Sequence, residues 1–180
     1  MELSFKMLML FDIVKGMCFI QKTLIKIHGN LNSHNCIVDN HFHVKLTNFG
    51  LGDLLHLQKF NMCVESEENL LWFAPELLRS YCYASLQTIT AASDVYSFAI
   101  IMSELINDHR PFATQRNQSI SISELIERLK NPSPLVRPVI NDKIDCELIE
   151  LVEHCWREEP KLRPNFEEIN EKFIHLTKKW

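Results

Sequence analysis

The sequence predicts a mainly α fold carrying one small β hairpin, and three observations predict it. Apolar residues recur at helical spacing through most of the chain, one pair of short β-rich runs interrupts them, and prolines mark the joints between the helical stretches. With 180 residues, 46% of them apolar, the chain is sized for a single domain, 1–180. A domain of that size buries roughly 70% of the surface its unfolded form would expose.

The elements follow in order. Met7, Leu10, Phe11, Val14, Met17 and Cys18 repeat at helical spacing and predict an amphipathic helix with one broad buried face. Cys36-Ile37-Val38 and His43-Val44-Lys45-Leu46 flank Asp39-Asn40-His41, a composition suited to a tight hairpin. From about Asp53 to Glu68 no periodicity is sustained, which predicts a surface loop. Val95, Phe98, Met102 and Leu105 then lie on one face of a helix, and Ser121…Glu124 is a capping-box pattern ahead of Ile122, Leu125, Ile126 and Leu129. Leu148, Leu151, Val152 and Cys155 form a further stripe, and Asn165…Glu168 is placed to cap a last helix carrying Phe166, Ile169 and Phe173. Pro111, Pro132, Pro134, Pro138 and Pro160 stop the helices by removing an amide donor.

Composition narrows the function. Nineteen basic against twenty-three acidic residues give a formal charge of −4, without the basic excess of a nucleic-acid binder, so no nucleic-acid partner is expected. Only four glycines are present, and the sole GxG, Gly50-Leu51-Gly52, has Leu55 where a dinucleotide fingerprint needs a small residue. The six cysteines, Cys18, Cys36, Cys63, Cys82, Cys146 and Cys155, include no CxxC pair and are expected as reduced core or near-core thiols. Glu2, Lys6, Asp12 and Lys15 interrupt the apolar start, and no run reaches a membrane span, so a soluble chain without direct membrane insertion is expected. His41 and His43 alternate, but no third and fourth ligand has suitable spacing, and no metal site is assigned. Trp72, Trp156 and the phenylalanines are expected in the core, and Asn117-Gln118-Ser119 is a sequon with no role in a cytosolic chain.

One order of landmarks is far more specific. His28-Gly29-Asn30-Leu31-Asn32-Ser33-His34-Asn35 precedes Asn48-Phe49-Gly50, which precedes Ala74-Pro75-Glu76, followed by Asp94-Val95-Tyr96-Ser97-Phe98 and Cys155-Trp156…Pro160…Arg163-Pro164. The series resembles the protein-kinase order of catalytic loop, metal-binding loop and activation-segment anchor, H-R-D-L-x-x-x-N, D-F-G and A-P-E. The resemblance covers the large, C-terminal lobe of a kinase-like fold. The small lobe, with its glycine-rich loop and strand lysine, is missing from the chain.

The departures from that pattern are chemical. Asn30 stands where the family places the aspartate that accepts the substrate hydroxyl proton, and a neutral amide takes up no proton at physiological pH. Losing a positioned base forfeits about 10²–10⁴ in rate. Asn48 offers an amide where the family has its principal anionic magnesium ligand, and Asn35, which matches the remaining ligand, is left as a vestigial cofactor-binding position. Asn32 replaces the lysine that steadies the transferring phosphoryl group. No catalytic residue is assigned. The resemblance implies structural roles for the residues that remain: His28, Phe49 and Gly50 at internal packing positions, Asp94 as a buried carboxylate bracing the loop backbone, and Glu76 with Arg163 as a buried ion pair. Gly29 supplies no guanidinium to clamp a phosphorylated activation loop, and Glu65-Ser66-Glu67-Glu68 is expected as a solvated run.

The wider strings Asp12-Ile13-Val14-Lys15-Gly16-Met17, His28-Gly29-Asn30-Leu31, Leu71-Trp72-Phe73-Ala74-Pro75-Glu76-Leu77-Leu78-Arg79 and Asp94 to Met102 are similar to the kinase-homology (pseudokinase) domain of membrane receptor guanylate cyclases, natriuretic-peptide-receptor type. That resemblance implies a regulatory segment on the cytoplasmic side of a single-pass membrane receptor. Its partners would be the dimerisation and cyclase segments of a homodimeric parent, beginning beyond Trp180. The parent would be a phosphorus–oxygen lyase that turns GTP into cyclic GMP, and the segment would exert allosteric control over it while transferring no phosphate. No cofactor is required by the chain itself, and ATP would be an allosteric ligand only with a complete small lobe. The alternative is a weakly active or atypical protein kinase, using ATP on Ser, Thr or Tyr without the two aspartates. The apolar surface left by a missing lobe predicts poor solubility.

Overall fold

The computed structural model describes residues 2–50, 66–80, 89–116, 120–141 and 144–178. The stretch 53–65, Leu51, Gly52, Cys63, Cys82, the sequon and Trp180 lie outside them. Helix α1, Leu3–Lys22, buries Met7, Leu10, Ile13, Val14, Met17 and Ile20. Two isoleucines thus join the predicted stripe, while Phe11 and Cys18 sit at its half-buried edge.

Strands β1, Cys36–Val38, and β2, Val44–Leu46, pair antiparallel with Cys36 opposite Leu46 and Val38 opposite Val44. Asp39 organises the turn, its Oδ1 accepting the amides of His41 and His43 at 2.9 Å each. Both histidines face solvent. Asp12 docks the hairpin on α1, with Oδ2 accepting the Val44 amide at 3.1 Å. Gly16 permits the close approach: a Cβ there would lie 2.8 Å from Leu46 Cδ1.

A 3₁₀ helix over Glu67–Trp72 follows, so Glu67 and Glu68, predicted as the end of a loop, instead open an element. Then come α2, Pro75–Ser80; α3, Ala91–Asn107; α4, Ala113–Arg116; α5, Ile122–Lys130; α6, Cys146–Cys155; a 3₁₀ turn at Pro160–Leu162; and α7, Phe166–Thr177. The fold is mainly α with a single hairpin among the described residues, as the periodicity predicts. No helix among them is long and apolar enough to cross a membrane.

Helix α3 differs from its predicted amphipathic form. Residues Ser93 to Ser103 are buried all round, because α1, α6 and the 3₁₀ helix pack against it from different sides. Its ring system anchors the core: Phe98 lies 5.6 Å from Phe166 and 6.1 Å from Phe173, and Phe11 stacks on Phe173 at 6.1 Å. Trp72 and Trp156 are buried too, whereas Phe19 and Phe42 are exposed, which corrects their expected place in the core.

The caps separate two sequence patterns that look alike. Asn165 and Glu168 form a complete box, Asn165 Oδ1 accepting the Glu168 amide at 3.0 Å and Glu168 Oε2 the Asn165 amide at 2.8 Å. At α5 only half of the box forms: Ser121 Oγ accepts the Glu124 amide at 3.1 Å, while the Glu124 carboxylate turns to Arg128 at 2.7 Å. The cysteines divide similarly. Cys155 is buried, Cys18 and Cys36 half-buried, but Cys146 opens α6 exposed, which corrects its expected place near the core.

Candidate functional site

The loop 28–35 rests on the first turn of α3. Thr90 caps that helix reciprocally with Ser93, which fixes the next residue, Asp94, directly beneath the loop. Asp94 Oδ2 accepts the His28 amide at 2.8 Å and Oδ1 the Gly29 amide at 2.9 Å. Burial pushes this carboxyl up to about 7, against the opposing pull of the two N–H donors. Gly29 takes φ 78°, the left-handed region that a residue without Cβ enters at no steric cost.

His28 is fully buried, and its Nδ1 accepts the Asn30 amide at 3.3 Å. Burial holds its pKa down to about 4, so the ring is neutral at physiological pH. Its carbonyl accepts the Gly50 amide at 3.1 Å, linking the loop to the segment 48–50. Gly50 has φ 73°, and a Cβ there would press on Ile25 Cγ2 at 3.1 Å.

The predicted base and metal positions come together as a set of amides. Asn35 Nδ2 donates to the Asn30 carbonyl at 2.8 Å, and Asn48 Nδ2 donates to Asn35 Oδ1 at 2.8 Å. Asn32 Nδ2 reaches the Asn30 carbonyl at 3.2 Å and Asn30 Oδ1 at 3.1 Å. Asn32, read from sequence only as a missing lysine, is therefore a member of the network. Asn48 has φ 58°, a conformation asparagine tolerates better than most residues. The set does not fit magnesium. That ion prefers carboxylate and phosphate oxygens, whereas Asn35 Oδ1 is engaged by an N–H and Asn48 turns its nitrogen inward. Among the described residues no cluster of three His, Cys, Asp or Glu has metal-binding geometry.

Phe49 departs from its expected internal position, being 42% exposed. Its ring lies edge to face with that of His28, with centroids 6.2 Å apart. Ile37 is 54% and Leu24 97% exposed as well.

Farther down, Arg163 holds Glu76 in a two-pronged contact at 2.7 and 2.8 Å. The arginine side chain is fully buried, but that of Glu76 is 22% exposed, so the pair expected to be buried is open at its acidic end. Arg163 also donates to the carbonyls of Ala92, Arg157 and Glu158. The Tyr96 ring lies 5.2 Å from its guanidinium and 5.1 Å from that of Arg137. The Tyr96 hydroxyl is buried without a hydrogen-bond partner.

Sequence reasoning missed Glu104. It is largely buried on α3, accepting the Trp72 indole N–H at 2.8 Å and the Ser33 hydroxyl at 3.2 Å. Burial pushes its pKa up to about 7. It joins the loop 28–35 to the segment preceding Ala74-Pro75-Glu76. The available signal was an acid among Ile101, Met102, Leu105 and Ile106 on an apolar helix.

Chemically, the amide set can orient and brace, and it contains no group able to accept a proton at neutral pH or to hold a hard cation by charge. The sequence matches the family model described as protein tyrosine and serine/threonine kinase over residues 1–173. It is 39% identical over 179 residues to retinal guanylyl cyclase 2 of Mus musculus, covering 99% of this chain and 16% of that protein. The figures are 38% for retinal guanylyl cyclase 2 and 36% for retinal guanylyl cyclase 1 of Homo sapiens, with the same coverage. The chain thus spans about 16% of the length of these relatives.

Proposed function

The chain belongs to the protein tyrosine and serine/threonine kinase family, and from that premise we propose that it is a kinase-homology segment that regulates an attached guanylate cyclase and transfers no phosphate itself. Similarity across 99% of the chain to proteins named as guanylyl cyclases supports the regulatory setting. The observation that carries the silent chemistry is the pair Asn30 and Asn48: one amide where a base must be anionic, and one whose nitrogen is given to Asn35.

The lobe keeps what shapes it and lacks what reacts. Asp94 holds the loop backbone and Arg163 grips Glu76, contacts that stabilise the fold whether or not phosphate moves. In this reading the segment lies on the cytoplasmic side of a membrane receptor, partners the dimerisation and cyclase segments of a homodimer, and takes adenine nucleotide only as an allosteric ligand once a small lobe completes the cleft. Two experiments test it. Deleting 1–180 from the parent protein is expected to change cyclic GMP production, and unchanged basal and stimulated rates would refute regulation. In a chain carrying a complete small lobe, Asn30→Asp with Asn48→Asp is expected to raise phosphotransfer above background. Clear magnesium-dependent turnover by the unmodified protein would refute the silent reading.

A further inference from the structure

Four asparagines form one hydrogen-bonded network, their side chains linked partly to one another and partly through the Asn30 carbonyl and the Asn35 backbone N–H, and we infer that this network is a strut that ties the two loops together without metal, in the mechanical place of the divalent cation used by active kinases. The inference concerns the folded stability of the loops. It uses the same residues as the silent reading but does not require that the segment regulate a cyclase.

The orientation of each amide is fixed by its neighbour. A backbone carbonyl only accepts, so Asn35 must present Nδ2 to the Asn30 carbonyl, 2.8 Å away. Its Oδ1 is then turned to Asn48, which must answer with a donor, as it does at 2.8 Å. On the other side Asn32 Oδ1 accepts the Asn35 amide at 3.1 Å, which directs Asn32 Nδ2 to Asn30. Asn35 is buried at the centre, and its own carbonyl accepts both the amide of Thr47 at 2.9 Å and the hydroxyl of Thr47 at 3.2 Å. Side chain and backbone of one residue thus join the loop 28–35 to the segment 47–50.

Charge explains why no ion is needed. An aspartate at 48 would bring a negative oxygen against Asn35 Oδ1 with no hydrogen between them. Asn35 could turn its amide to meet it only by surrendering the Asn30 carbonyl. Asn48 is exposed, so without a cation a carboxylate there turns to solvent and the tie to Asn35 is lost, whereas a cation between the two oxygens, or asparagine by itself, closes the gap. Position 30 is different. Asn30 Oδ1 only accepts, from Asn32, and a carboxylate oxygen accepts equally well. The strut is sensitive to charge at 48 and indifferent to it at 30.

The test is thermal unfolding of the chain by circular dichroism, in EDTA and in excess magnesium chloride. The unmodified chain is expected to melt at the same temperature in both, Asn30→Asp to match it in EDTA, and Asn48→Asp to melt roughly 3–6 °C lower in EDTA and to recover with magnesium. Asn48→Ala, which loses the donor without adding charge, should fall by less and show no magnesium response. If Asn48→Asp fails to fold in EDTA while Asn48→Ala folds, the strut stands in stronger form. A magnesium-dependent rise of the unmodified chain, or an Asn48→Asp variant that melts like it in EDTA, overturns the inference. A phosphotransfer assay reads none of these shifts, so this inference and the silent reading can fail separately.

Discussion

The indole of Trp72 and the carboxylate of Glu104 meet at 2.8 Å across 32 residues of chain, and the second oxygen of the same carboxylate takes the hydroxyl of Ser33. One acid therefore couples the loop 28–35 to the segment that anchors α2. Its folded pKa is raised from 4.5 to about 7, so its contribution to stability is fully present below the unfolded value and is lost as pH rises through about 7. Over that window the change is at most ~3 kcal/mol. Asp94, also raised to about 7, adds to the same slope. His28, lowered from 6.5 to about 4, acts in the opposite sense, losing stability as pH falls through that interval. Comparison with Glu104→Gln isolates the first group: melting temperature should decline more steeply between pH 5 and 8 in the unmodified chain than in the variant. Parallel profiles would show that Glu104 does not titrate there.

Replacement of Asp94 by asparagine should cost about 1–3 kcal/mol, because the new NH₂ faces one of two backbone donors and leaves it unsatisfied. Amide exchange reports the site directly. The His28 and Gly29 amides are expected to exchange faster in the variant, while those of α7 follow only global stability; equal protection at the two loop amides would refute the bracing role.

Arg163→Ala is expected to lower stability by about 3–5 kcal/mol, since it strands Glu76 and three backbone carbonyls at once. Arg163→Lys keeps the charge but loses the two-pronged geometry, and should recover less than half of the loss. Urea denaturation midpoints measure both. A lysine variant indistinguishable from the original would assign the contact to charge alone.

The hydroxyl of Tyr96 is buried without a partner, so Tyr96→Phe should be neutral or stabilising by up to ~1 kcal/mol, keeping the ring that Arg137 and Arg163 flank. A loss above ~1 kcal/mol in the same urea series would mean that the hydroxyl has a function the static contacts do not display.

Much of this architecture is written locally. The stripe from Met7 to Cys18, the Asn165–Glu168 cap and the β-rich runs around Asp39 each depend on near neighbours, and each predicted element is present. What depends on distant neighbours is harder to read. Ser93 and Ser97 make α3 look one-sided, yet both are buried, Ser97 donating to the carbonyl of Trp72, remote in sequence. The partners of Glu104, Trp72 and Ser33, lie 32 and 71 positions away and meet it only in the fold. The amides of the cleft floor were visible as departures from a pattern. Their linkage through Asn35 and the exposure of Phe49 were not, because both depend on how the two loops lie against each other.

Helix α1 finds its principal partner in α7, where the Cys18 thiol reaches the carbonyl of Phe166 across 148 positions. Vectorial synthesis therefore separates the two by about 7–30 s at ribosomal rates of roughly 5–20 residues per second. Throughout that interval β2 and later α3 can cover part of the first helix, but Phe11 and Cys18, which meet α7 at Phe173 and Phe166, are without their partner. A transcript interrupted before codon 166 would yield a product with this greasy flank permanently uncovered, a substrate for chaperones and proteases rather than a shortened working lobe.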